Sequence, residues 1–234
     1  LEVVDEFVDS SNNDVIQYIN RSSTFDQLIS ILLKYKEDQD INIIHYREIC
    51  IHALYKMILR DEYHLCDISL LPIDVLTDIL DYTNISDQSC VIQLFSICIK
   101  KNEGFLKFSP IDDFIEHGIY NNLMNHNTDF SFESKYSMLE FFIITLIKAN
   151  RSQLDTLLGF KIIDPVFNNI DCSNTDLMLL LNELLKKFMY SDDLIKYLLP
   201  YYDIFQQIGM DDSYDNNDAI SEVCQILETF TSNE

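Results

Sequence analysis

Two kinds of marker recur along this chain on one beat, and together they restrict its fold more than any other feature. The first is a long apolar run, found at 45–61, 86–102, 134–150, 174–190 and 216–232. Its apolar residues fall at helical spacing: Ile49, Ala53, Leu54, Met57 and Ile58 in the first run, Leu94, Phe95, Cys98 and Ile99 in the second, and Ala219, Ile220, Val223, Cys224 and Leu227 in the last. The starts are separated by 41, 48, 40 and 42 residues. The second marker is a helix breaker ahead of a medium-length apolar segment, at Pro72, Gly118, Gly159 and Pro200; its last two steps are both 41.

The repeating unit is therefore a short helix, a breaker, a medium helix, a polar loop and a long helix. Such a unit cannot bury its apolar faces alone, so neighbouring units must stack into a continuous core. The units are placed at about 12–61, 62–102, 103–150, 151–190 and 191–232, within a single repeat domain spanning 1–234. The long second step predicts an insertion in the third unit, at 126–133. The first unit has no clear breaker and a long loop at 36–44, so it reads as an atypical cap, with residues 1–11 as a further covering segment. Ser86, Ser134 and either Ser173 or Asn174 are expected to cap the long helices.

Composition agrees with helices. Gly and Pro each number only 4 in 234 residues, too few for the frequent turns of a sandwich or barrel. The net charge of −23 repels phosphate backbones and anionic lipid surfaces, which argues against nucleic-acid and membrane partners and makes a basic partner the physical complement. The ends are the most acidic parts: after Lys196 there are eight acidic residues and no basic one. No run reaches the 18 or so apolar residues of a membrane span. The opening segment LEVVDEFVDS has neither a basic start nor an apolar signal core, and it lacks an initiator Met, which leaves open whether the chain is whole or a fragment of a longer protein. The 6 cysteines are scattered without a C-x-x-C pair, the pattern of buried reduced thiols in a cytosolic or nuclear protein.

The stretches FIEHGIYNNLMN (114–125) and DTLLGFKIIDPVFNN (155–169), each followed by a long helix, resemble the armadillo repeat in their small apolar pair, Gly and helically spaced apolar residues. The resemblance covers most of the chain and is closest from about 103 onward. It implies an all-α, right-handed α-solenoid of about five armadillo-like three-helix repeats. LLPYYDIFQQIGMDDSYDNNDAISEVCQILETF (198–230) is also similar to the closing repeats of the importin alpha family, which binds basic nuclear-localisation peptides in a groove lined by long helices. That family uses recurrent Trp and Asn residues there; this chain has no Trp, and no Asn recurs in phase.

The resemblance implies that the long helices line the concave, partner-binding face. Aligned, they place His52, Gln93, Phe141, Glu183 and Glu222 in one row and Ile51, Ile92, Glu140, Asn182 and Ser221 in the next. The expected partner-binding residues are His52, Gln93, Glu140, Phe141, Asn182, Glu183 and Glu222. Their carboxylates would pair with Lys or Arg of an extended segment, and Phe141 would be an apolar anchor if exposed. A solvated helix face is the plainer reading of each residue taken singly. His45, Glu48 and His52 share a helix face, yet form H-x-x-E rather than the E-x-x-H of di-iron bundles, with no second copy, so no metal is expected. The run at 211–218 holds four Asp but no Gly where a calcium loop turns; it reads as an acidic loop whose Asn216 or Asn217 caps the last helix. No catalytic motif is present, so no catalytic residue and no cofactor are expected. The functional expectation is a non-enzymatic adaptor or scaffold, cytoplasmic or shuttling to the nucleus, that binds a basic extended segment in the manner of an import receptor. The alternatives are an Hsp70 nucleotide-exchange cochaperone and a structural or cytoskeletal interaction module.

Overall fold

The computed structural model describes residues 23–35, 41–61, 66–81, 85–102, 109–126, 130–169, 174–209 and 218–231. The expected covering segment at 1–11, Cys172 and most of the acidic run at 211–218 lie outside them. The described residues form twelve α-helices and two 3-10 segments, and no strand. In chain order these are α1 (Thr24–Lys34) and α2 (Ile41–Leu59); the 3-10 segment Ile68–Leu70, α3 (Ile73–Asp81) and α4 (Ile85–Lys101); α5 (Pro110–Glu116), α6 (Ile119–His126) and α7 (Phe132–Lys148); α8 (Arg151–Gly159), α9 (Ile163–Asn168) and α10 (Thr175–Met189); and the 3-10 segment Ile195–Tyr201, α11 (Tyr202–Gly209) and α12 (Asp218–Thr231).

After the first pair, every group is two shorter segments followed by a long helix, as the two markers predict, although in the third group the expected order of the shorter pair is reversed: α8 has 9 residues and α9 only 6. The long helices lie within about two residues of expectation except α2, which begins at Ile41 and takes in part of the expected loop at 36–44. The chain forms two compact units, residues 1–141 and 142–234, whose boundary falls inside α7.

In the first unit α1 packs on α2, α2 on α4, α3 on α4 and α6, and α5 on α4 and α6. Helix α4 explains why the unit holds. Val91, Ile92, Leu94, Phe95, Ile97, Cys98 and Ile99 are all buried, so it is apolar almost all round and must be covered on every side. Its few buried polar groups are satisfied nearby: Gln88 Nε2 donates to the Leu80 carbonyl at 2.9 Å, and Ser96 Oγ to the Ile92 carbonyl at 3.0 Å. Phe95, Phe114, Tyr120 and Phe141 form an aromatic centre in which the Tyr120 and Phe141 rings stack at 5.4 Å and Phe95 and Phe114 lie 4.8 Å apart.

In the second unit α10 and α11 pack on α12, and the 3-10 segment Ile195–Tyr201 touches all three. Leu181, Leu184, Leu185 and Phe188 of α10 and Ile220, Val223 and Leu227 of α12 are buried. Phe167 meets Phe205 edge-on at 5.1 Å and Tyr201 at 4.9 Å. The Tyr201 hydroxyl donates to the Asp164 carboxylate; burial, then this bond, push the tyrosine pKa upward.

The breakers act differently from one another. Pro72 and Gly118 stand immediately before their medium helices. Gly118 has φ 69°, a left-handed conformation that glycine adopts without steric cost. Gly159 does not play this role: it is the last residue of α8, and the left-handed position is Lys161, φ 60°. Pro200 sits inside its 3-10 segment rather than between two helices. The caps also differ. Asn174 caps α10 as expected, its side chain accepting from Leu177 N at 3.0 Å. On α7 the cap is Ser131, which accepts from Ser134 N at 3.1 Å, while Ser134 itself is buried. Ser86 lies within α4. Asn150 and Gln153 form a full capping box at the start of α8.

Candidate functional site

The long helices α2, α4, α7, α10 and α12 carry every expected partner-binding residue. In the first unit the structure withdraws most of them from a partner. Phe141 is fully buried in the aromatic centre, so it is a core residue and not the exposed anchor that its row suggested. Ile51 and Ile92 of the adjacent row are likewise wholly buried. The Gln93 amide donates to Ser89 Oγ and Ser137 Oγ, both at 3.4 Å, and those two hydroxyls lie 2.9 Å apart, so it joins α4 to α7. Glu140, with 24% of its side chain exposed, accepts from Lys100 Nζ at 2.8 Å. His52 is half-buried on α2.

The second unit treats the same kind of position differently. Glu183 on α10 and Glu222 on α12 are exposed, and neither forms a hydrogen bond or ion pair among the described residues. Asn182, beside Glu183, is half-buried. One helical turn before Glu183, Leu179 is 53% exposed on the same face.

Burial also corrects the register of the rows. Around Glu183, Leu181, Leu184 and Leu185 are buried; around Glu222, so are Ile220 and Val223. The same order on α7 is Met138, Glu140, Phe141 and Phe142, with Glu140 alone reaching solvent. Glu140, not Phe141, is therefore the counterpart of Glu183 and Glu222. The aligned rows had α7 one residue out of register, which on a helix turns an outward position into an inward one.

Sequence reasoning missed the lysines at the ends of the long helices. Lys101 Nζ approaches the Asp61 carbonyl at 3.4 Å, and Lys187 Nζ donates to the carbonyls of Leu146, Ile147 and Ala149. Their signal was present, since each of these long runs carries a Lys-Lys pair in its last turn.

His45 Nδ1 lies 3.2 Å from Glu48 Oε2, and no three His, Cys, Asp or Glu side chains among the described residues gather as a metal would require. The five described cysteines are free, and burial raises the pKa of Cys50 to about 11. No described helix is long and apolar enough to cross a membrane.

No family model matches the chain, and no curated protein matches it. Solved structures do. A designed armadillo repeat protein shares the fold with a TM-score of 0.69 at 13% identity, over 96% of this chain and 90% of that one. Another, described as a computationally designed armadillo repeat protein for modular peptide recognition, matches with a TM-score of 0.71 at 13% identity, over 95% of this chain and 90% of that one. An engineered protein gives 0.69 at 11% identity, over 97% and 90%. The fold of this chain is an armadillo-like α-solenoid of three-helix repeats.

Proposed function

We propose that this chain is a non-enzymatic binding scaffold that holds an extended, basic segment of another protein against its long helices, in the manner of an import receptor. The observation that carries this reading is the pair of exposed carboxylates, Glu183 and Glu222, which have no partner among the described residues and occupy one repeat position on successive long helices of a chain with net charge −23. A peptide partner is further supported by the designed armadillo protein for modular peptide recognition, which shares the fold. Exposed ion pairs contribute only about 0–1 kcal/mol each, so several must act together, with apolar contacts beside them. Free, buried thiols suit a reducing compartment, and a cytoplasmic site with access to the nucleus follows from the same reading.

The test compares two fluorescent peptides of equal length, one rich in Lys and Arg and one rich in Asp and Glu, by anisotropy. Saturable binding of the basic peptide alone supports the reading. Equal binding of both, or binding of neither, rejects it.

A further inference from the structure

The ion pair between Lys100 and Glu140 shows what the repeated glutamate position accepts. In the first unit the chain supplies that position with its own ammonium, 2.8 Å from the Glu140 carboxylate. The counterparts on α10 and α12, Glu183 and Glu222, receive no such partner from the described residues, although both are more exposed. The basic residues near the end of α10 do not fill the role: Lys187 is engaged by three main-chain carbonyls, and Lys186 forms no ion pair with Glu183.

We infer that partner recognition is confined to the second unit, where the face formed by Leu179, Glu183 and Glu222 receives Lys or Arg side chains of an extended peptide, as Glu140 receives Lys100. The inference rests on the function proposed above and adds where the partner binds. Charge complementarity fixes the occupant. After Lys196 the sequence carries eight acidic residues and no basic one, a charge balance that favours a cationic segment over an acidic one. Leu179 adds exposed apolar surface beside Glu183, where the aliphatic stem of a bound Lys or Arg covers it. In the first unit, by contrast, a ligand ammonium would first have to displace Lys100 from Glu140.

The experiment uses the full chain and a fluorescent peptide of alternating Lys and Arg. About ten residues suffice, since an extended chain spans roughly 3.3 Å per residue. The double variant Glu183→Lys, Glu222→Lys is expected to weaken binding by about tenfold or more, because two attractions become repulsions. Glu183→Gln with Glu222→Gln should weaken it less. Glu140→Gln should stay within about twofold of the parent, since that carboxylate is already occupied. Leu179→Ala should lower affinity a few-fold. Circular dichroism checks that each variant keeps its helix. If the double reversal leaves binding unchanged, or if Glu140→Gln is the damaging change, recognition is not confined to the second unit, even though the chain binds basic peptides. If the parent chain binds no basic peptide, both the location and the function fall together.

Discussion

The ammonium of Lys187 stands 2.6 Å from the main-chain carbonyl oxygen of Ala149, just past the end of α7. It also donates to the carbonyls of Leu146 at 2.9 Å and Ile147 at 2.8 Å. The last carbonyls of a helix have no partner within it and carry partial negative charge, so a lysine from the next long helix satisfies both needs. Partial burial lowers the Lys187 pKa, a cost that these three bonds offset.

Replacing Lys187 by Met keeps the aliphatic stem and removes the donors. The expected loss is about 2 kcal/mol, since hydrogen bonds to a charged group contribute roughly 1.5–3 kcal/mol. Lys101→Met should cost less, because that ammonium approaches a single carbonyl at 3.4 Å. Urea denaturation followed by helix content distinguishes the two; equal midpoints would show that the three-carbonyl contact adds nothing.

The two glycines ahead of medium helices should respond in opposite ways to alanine. A Cβ meets no atom within 4 Å at either position, so only backbone conformation matters. Gly118→Ala should destabilise by about 1–2 kcal/mol, the cost of a left-handed residue with a side chain. Gly159→Ala should be neutral or stabilise by up to about 1 kcal/mol, because the helical backbone accepts alanine and the unfolded chain loses freedom. Lys161→Gly should stabilise for the reason that Gly118→Ala destabilises. Thermal melts of the three variants check the order.

Phe141→Ala should cost about 3–5 kcal/mol through the cavity left among Phe95, Phe114 and Tyr120. An exposed anchor would lose peptide affinity with little change in stability. A stability loss below about 1 kcal/mol would contradict the buried position, since surface changes lie in that range.

Much of the architecture was legible because it rests on periodicity. The long runs predicted α2, α4, α7, α10 and α12, and the scarcity of Gly and Pro removed the all-β alternatives. What was not legible depended on single residues. A one-residue offset in the register of α7 exchanged Glu140 for Phe141 in the row, and an apolar stripe does not reveal such an offset where apolar residues crowd both sides of the position, as Met138, Leu139 and Phe141 to Ile144 do around Glu140. The left-handed position fell on Lys161 because the α8 helix continues through Gly159; a glycine marks permission for a turn, not its location. The pairing of Glu140 with Lys100 spans forty residues of sequence, and only the stacking of α4 on α7 brings the two together.

Alkaline pH should weaken the fold before it cleaves or denatures unspecifically. Burial lifts the Cys50 thiol from its ordinary 9.0 to about 11, and the Cys98 thiol also rises for the same reason. A folded-state pKa above the unfolded value stabilises fully below the unfolded pKa, and that stabilisation is lost as pH rises through the folded one. Urea midpoints should therefore hold below about pH 9 and fall toward pH 11. Thiol reagents at neutral pH should react slowly with Cys50, Cys66 and Cys98 of the native chain and fully with the denatured one. Fast native labelling of Cys50 or Cys98 would contradict their burial.

The most direct test of the account is the salt dependence of basic-peptide binding to the parent chain, measured by calorimetry. If acidic side chains on the long helices hold Lys and Arg of an extended segment, affinity should fall steadily as salt rises from about 0.05 M to about 0.3 M, because exposed charges are screened over about 8 Å near 0.15 M. An acidic peptide of equal length should give no heat at any salt. Affinity that is unchanged across this range, or equal for the acidic peptide, would contradict the account and leave the negative charge as a property of solubility.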